Sequence, residues 1–127
     1  MIVTEAVSLS APSDPGDHYD FHKLRLDDTT LDLKIDPGVA ARLDRDGFVP
    51  RVVGFRRAGD SWQLQVKRRT GEWATVLTSE AGATGWLSQK SPTLQRVDID
   101  GNASPNVRLR RTGPTAPYLH MVELVGR

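Results

Sequence analysis

Apolar side chains recur at every second position through most of this chain, and that period restricts the fold more than any other feature. In "TLDLKID", Leu31, Leu33 and Ile35 alternate with Asp32, Lys34 and Asp36. In "SWQLQVK", Trp62, Leu64 and Val66 alternate with Gln63, Gln65 and Lys67. Successive side chains of an extended strand point to opposite sides, so each stretch buries one face and wets the other. Further candidates are "EAVSLS", "DFHKLRL", "VVGFRR", "EWATVLTS", "LQRVDID", "NVRLRR" and "YLHMVEL". About eight strands with turn signals every eight to twelve residues predict an all-β fold, an antiparallel β sandwich of the jelly-roll kind.

Local chemistry adds detail. "DPGVAARLDRDG" predicts one short helix, with Asp36 as N-cap, Pro37 at the first helical position, Val39 and Leu43 four apart and Gly47 as the stop. "AGD" between "VVGFRR" and "SWQLQVKRR" reads as a hairpin turn. A second tight turn, Asp100-Gly101-Asn102, is expected between "LQRVDID" and "NVRLRR". "AGATGWLSQ" reads as a loop, and "SAPSDPGDHYD" as an exposed one. Residues 1–127 fit a single domain, with 1–18 as an extended N-terminal segment.

Composition bears mainly on what the chain does. There is no cysteine, which removes disulfides, thiol catalysis and cysteine-ligated zinc. No apolar run is long enough for a membrane helix, and the first residues lack a basic flank followed by an apolar stretch, so neither membrane nor secretion is expected. The net charge is +1. Residues 1–50 carry ten acidic and five basic side chains, and residues 51–127 carry six and twelve. That asymmetry suits subunits packing with complementary fields, although two halves of a sandwich also interleave.

Arginine falls in three clusters: Arg56 and Arg57; Lys67, Arg68 and Arg69; Arg108, Arg110 and Arg111. The first two flank the expected hairpin and are expected close together near its open end. Trp62 sits on an apolar face rather than among these cations, and no nucleic-acid motif is present, so nucleic acid is disfavoured. Arginine pairs equally well with carboxylates across a protein interface. Arg56, Arg57, Lys67, Arg68, Arg69, Arg108 and Arg110 are therefore protein-docking candidates. Alternation places Val107 and Leu109 in the core and Arg108 and Arg110 toward water or a partner.

Trp73, Trp86 and Tyr118 are candidates for stacking on sugar rings, against the alternative that they plug the ends of the core. "HYDFH" sets His18, Asp20 and His22 at alternate positions, a weak metal candidate with no further ligand fixed. "DIDGNAS" begins like a calcium loop through Asp98, Asp100, Asn102 and Ser104, but its twelfth position is Leu109 and its glycine comes early. No catalytic motif is present and no cofactor is expected; the chain reads as non-enzymatic.

The run from Gly59 to Gly126 resembles jelly-roll domains similar to galactose-binding and carbohydrate-binding modules. Val107, Arg108, Leu109 and Arg110 match a penultimate strand of the type V-R-[IL]-R. Tyr118, Leu119, Val122 and Leu124 match a last strand of the type Y-[IL]-x-x-[VI]-x-L. His120 and Met121 stand where such last strands often carry two aspartates, so no ligand or calcium site is carried over. The resemblance implies a freestanding structural or interaction protein, an accessory of a tailed-phage capsid or tail acting in the virion among protein subunits, itself a homo-oligomer. A carbohydrate-binding module is the alternative it implies, and a small metal-dependent enzyme or a nucleic-acid-binding domain follows behind.

Overall fold

The computed structural model describes residues 2–4, 7–8, 17–27 and 29–126; through residue 24 only the backbone enters the description. Ten strands and one helix follow in the order β1 (Ile2–Thr4), β2 (Val7–Ser8), β3 (Asp17–Arg25), β4 (Thr30–Leu33), α1 (Pro37–Asp46), β5 (Phe48–Arg56), β6 (Trp62–Lys67), β7 (Trp73–Thr78), β8 (Gly85–Lys90), β9 (Val107–Arg111) and β10 (Tyr118–Gly126). They form two five-stranded sheets, β1-β4-β9-β6-β7 and β2-β3-β10-β5-β8. All pairs are antiparallel except β1 with β4. The fold is an all-β sandwich with one short helix, as the alternation predicts.

From β3 onward the pairing is nested. The outermost strands pair as β3 with β10, and inside them β4 pairs with β9, β5 with β8 and β6 with β7. Each sheet turns one set of alternate residues inward. Leu31 and Leu33, Leu64 and Val66, Val107 and Leu109, and Val122 and Leu124 are all fully buried, with Trp62 among them. Val107 and Leu109 thus occupy the core as expected, and Arg110 is exposed. Asp32 departs from the wet-face expectation: it lies on the side opposite Leu31 and Leu33, yet is only 4% exposed.

Several expectations need correction. β5 and β6 do not form a hairpin, because β5 pairs with β10 and β8 while β6 pairs with β9 and β7. The "AGD" turn instead carries the chain from one sheet to the other. A glycine-bearing turn fits either connection, and the sequence pattern does not say which edge the next strand joins. As a result Arg56 and Arg57 sit at the turn, while Lys67 ends β6 and Arg68 and Arg69 lie beyond it.

"LQRVDID" is a loop rather than a strand, its backbone pairing among the described residues only at the isolated bridges Phe48–Gln95 and Arg68–Ile99. Its alternation reports burial of Ile99 and partial burial of Val97, which a loop draped on the core achieves as well as a strand. Conversely "GWLSQ" is a strand, β8, at the edge of its sheet. The Asp100 turn does form: Asn102 donates its backbone N–H to Asp100 Oδ1 at 2.9 Å.

The helix spans the expected residues, with Pro37 opening it and Gly47, at φ 82°, closing it. Ala40 and Leu43 are its buried residues, and Val39 packs at the margin of the core. Asp36 occupies the cap position without a side-chain capping bond. The strand expected at "EAVSLS" and the 1–18 segment lie largely outside the described residues, apart from β1, β2 and the backbone of Asp17 and His18.

Candidate functional site

The outer face of the β2-β3-β10-β5-β8 sheet carries the most unusual surface. Strand register sets Trp86 opposite Phe55, and Phe55 opposite Tyr118, in one row across three strands. Trp86 meets Phe55 edge to face with ring centroids 5.5 Å apart, and His120 edge to face at 6.5 Å. It is 54% exposed, the one large hydrophobic side chain so exposed among the described residues. A tryptophan held on edge by two rings while half its surface meets water is a preformed contact platform, since burying it elsewhere releases a large apolar area. Tyr118 lies beneath a cation: the Arg57 guanidinium sits 5.7 Å from its ring centre, steadied by a 2.9 Å bond from Nη2 to the Ala116 carbonyl.

Two further rows follow on this face. Ser88, Val53 and Met121 come next, then Lys90, Arg51 and Glu123. Arg51 Nε donates to Ser88 Oγ at 2.8 Å, and its Nη1 lies 3.7 Å from a Glu123 oxygen. With Val49 and Val125 these polar groups line an open hollow of about 410 Å³. Glu123 is only 7% exposed although it lies on the outer side of β10, opposite the buried Val122 and Leu124. Both signs of charge and an aromatic row therefore share one sheet face.

Trp73 has a different situation on the opposite sheet. The Arg108 guanidinium stacks 4.2 Å from its ring centre, and Lys67 Nζ lies 5.7 Å from it. Arg108 Nε also donates to Gln65 Oε1 at 2.6 Å, and Gln65 Nε2 donates to Thr75 Oγ1 at 3.0 Å. Burial, with the like charge of Arg110 behind it, pushes the Arg108 pKa down, while Asp32 acts in the other direction. Arg108 is thus part of a network within the chain and covers the indole face nearest to it.

Most of the other arginines named from sequence are also tied locally, Arg110 being exposed. Arg68 Nε bonds Asp98 Oδ1 at 2.8 Å, which holds the Asp98 carboxyl below its ordinary range, and Arg69 Nη1 bonds Asp44 Oδ2 at 2.7 Å. At the β5–β6 turn Arg56 Nε donates to the Asp60 carbonyl at 2.9 Å. Asp60 is 1% exposed and accepts from the Arg57 backbone N–H at 2.8 Å and from Thr115 Oγ1. Burial alone would raise its pKa; the bonds from Thr115 and Arg57 outweigh that and hold it below the usual carboxylate value.

No group of three or more metal-ligating side chains occurs among the described residues. The side chains of His18, Asp20 and His22 lie outside them. In the backbone, His18 registers with Glu123 and Asp20 with Met121, and the ladder then shifts before Leu24 pairs with Leu119. In the calcium-like stretch, Asp98 is engaged by Arg68 and Asp100 by Asn102.

Sequence reasoning names Trp86 and Tyr118 on this face but not Phe55, His120, Arg51 or Glu123. Arg51, Val53 and Phe55 do alternate, which is a usable signal for a shared face. What the sequence lacks is the register that sets them between Trp86 and Tyr118.

The fold and this face define an all-β sandwich with a mixed aromatic and charged outer sheet surface. No protein-family model, curated protein or solved structure matches the chain. No described helix is long and apolar enough to cross a membrane.

Proposed function

We propose that this chain is a non-enzymatic interaction protein that docks on protein subunits through the Trp86 face. The carrying observation is the 54% exposure of Trp86 in a row with Phe55 and Tyr118, against the His120 ring and with Arg57 over Tyr118. Tryptophan, tyrosine and arginine are the residues that dominate protein interfaces when clustered. The partner proposed is a second copy of this chain. A two-fold interface must be complementary to itself, and the Arg51, Lys90 and Glu123 row offers both signs on one patch. Among the described residues β8 also ends its sheet, leaving an edge without a partner strand beside Trp86.

We read the nested pairing of β3 to β10 as a jelly roll. With the likeness of "VRLR" and "YLHMVEL" to the closing strands of accessory jelly rolls, it supports a place in a tailed-phage capsid or tail. A carbohydrate-binding module is the second reading, favoured by the polar hollow next to Trp86; here the ring would stack on a sugar while Arg51 and Glu123 bond its hydroxyls. Trp73, with Arg108 on its ring, is the poorer platform.

Light scattering across a rising concentration series tests the first reading. The wild type associates, and Trp86→Ala raises the dissociation constant at least about tenfold, the loss of roughly 1.4 kcal/mol. A wild type that stays monomeric but binds an arrayed glycan, with binding lost in Trp86→Ala, replaces it with the sugar reading.

A further inference from the structure

The outermost strands of the two sheets are guarded unequally. Among the described residues β1 and β2 are only three and two residues long. β7 is bulged, its ladder with β6 skipping Val76, and the Thr78 carbonyl on its outer side accepts from Gln89 Nε2. Gln89 Oε1 in turn takes the Glu80 backbone N–H at 2.9 Å. Short strands, bulges and covered edges are the means by which a sheet avoids adding further strands. β8 is neither short nor bulged: its six residues, none of them proline, keep one register with β5 throughout. Its guard is a single charge, Lys90, so any pairing along β8 has to give that ammonium a favourable neighbour.

The ladder fixes which groups of β8 point away from the sheet. Ser91 donates its N–H to the Pro50 carbonyl at 3.0 Å, so by alternation Gln89, Leu87 and Gly85 turn their backbone groups toward β5. Trp86, Ser88 and Lys90 turn theirs outward, and the side chains of the same three are exposed. A second β8 laid antiparallel, with Ser88 on the two-fold axis, sets Ser88 against Ser88 and each Trp86 against Lys90 of the other copy. All three are mutually bonded pairs, about six hydrogen bonds in total. Any other centre pairs fewer of the three residues, and a centre at Lys90 sets like charges opposite each other. With Ser88 at the centre, each Lys90 ammonium comes beside an exposed indole, a cation–π pair formed twice. The row Tyr118, Phe55, Trp86 of one copy then runs on into Lys90, Arg51, Glu123 of the next.

We propose that two copies of this chain join edge to edge through β8, with Ser88 on the two-fold axis, so that their Trp86 sheets merge into one. This rests on the reading of the Trp86 face as the site of self-association and specifies its geometry: the outer faces lie side by side and the backbone of β8 supplies the bonds.

The chain holds no cysteine, so a single introduced thiol cross-links only to another copy. Directly opposed residues in such a pair lie about 5.5 Å apart at Cα, within disulfide range. At concentrations where the wild type associates, mild oxidation is expected to cross-link Ser88→Cys, and not Thr75→Cys, exposed on the β7 edge. Residue-resolved amide exchange of the wild type is expected to slow on association at Trp86, Ser88 and Lys90, while Leu87 and Gln89, already turned toward β5, change little. Ser88→Pro removes one outward N–H and the Oγ contact with Arg51, a change that an edge strand tolerates. It is expected to keep the far-ultraviolet circular dichroism and to raise the dissociation constant at least about tenfold. Association that persists without the Ser88→Cys cross-link and without alternating protection overturns edge pairing and leaves the Trp86 face reading standing. A wild type that stays monomeric at every concentration overturns both. If Ser88→Pro does not fold, the cross-link and the wild-type exchange pattern decide the matter.

Discussion

Asp60 shows at the scale of one residue how a turn can be held by charge rather than by its glycine. The "AGD" pattern suggests a tight connection because of Gly59, but the buried carboxylate does the fastening, through the Arg57 backbone and the Thr115 hydroxyl. Asp60→Asn is expected to cost about 1–3 kcal/mol near neutral pH, since buried donors lose a charged acceptor. The folded pKa is lowered, so this stabilisation is present in full above the ordinary carboxylate value near about 4 and disappears as pH falls through the folded value. Urea midpoints of wild type and variant should therefore differ at pH 6 and converge in strong acid. A constant difference across that range would contradict the assignment. Sequence shows the aspartate; it does not show Thr115, which arrives from the β9–β10 connection.

At the scale of elements, period two identified most strands and missed in two instructive places. β8 reads as a loop because Gly85 and the small residues before it resemble a turn, yet its exposure alternates along the whole strand. "LQRVDID" reads as a strand because alternation records which side chains are buried and not how the backbone is paired. The register of β5 with β10 depends on another detail, Gly54 packed beneath β10. A Cβ there would press on the Tyr118 carbonyl oxygen and crowd Leu119 Cα. Gly54→Ala is expected to destabilise by about 1–3 kcal/mol, as overpacking does, and to loosen the Trp86–Phe55–Tyr118 row with it. Chemical denaturation measures the first, and the near-ultraviolet circular dichroism of the aromatics reports the second.

For the whole molecule, nested pairing explains the charge asymmetry read from sequence. It lays β3 and β4 of the acidic half against β10 and β9 of the basic half, and brings Asp44 to Arg69. Most of the arginines that suggested a docking surface are drawn into contacts within the chain, Arg110 excepted, and the Trp86 face stands out instead. All-β class, the single helix and the core were legible in alternation and capping chemistry. The face was legible only in part, because it is assembled from β5, β8 and β10, whose adjacency depends on pairing between distant segments. Amide hydrogen exchange compared at low and high protein concentration locates the interface directly. Two-fold association through this face predicts protection of the Gly85–Lys90 edge amides that grows with concentration, while the opposite edge, Trp73–Thr78, exchanges unchanged. Exchange in Gly85–Lys90 that is indifferent to concentration, or protection that develops along Trp73–Thr78 instead, would contradict the account.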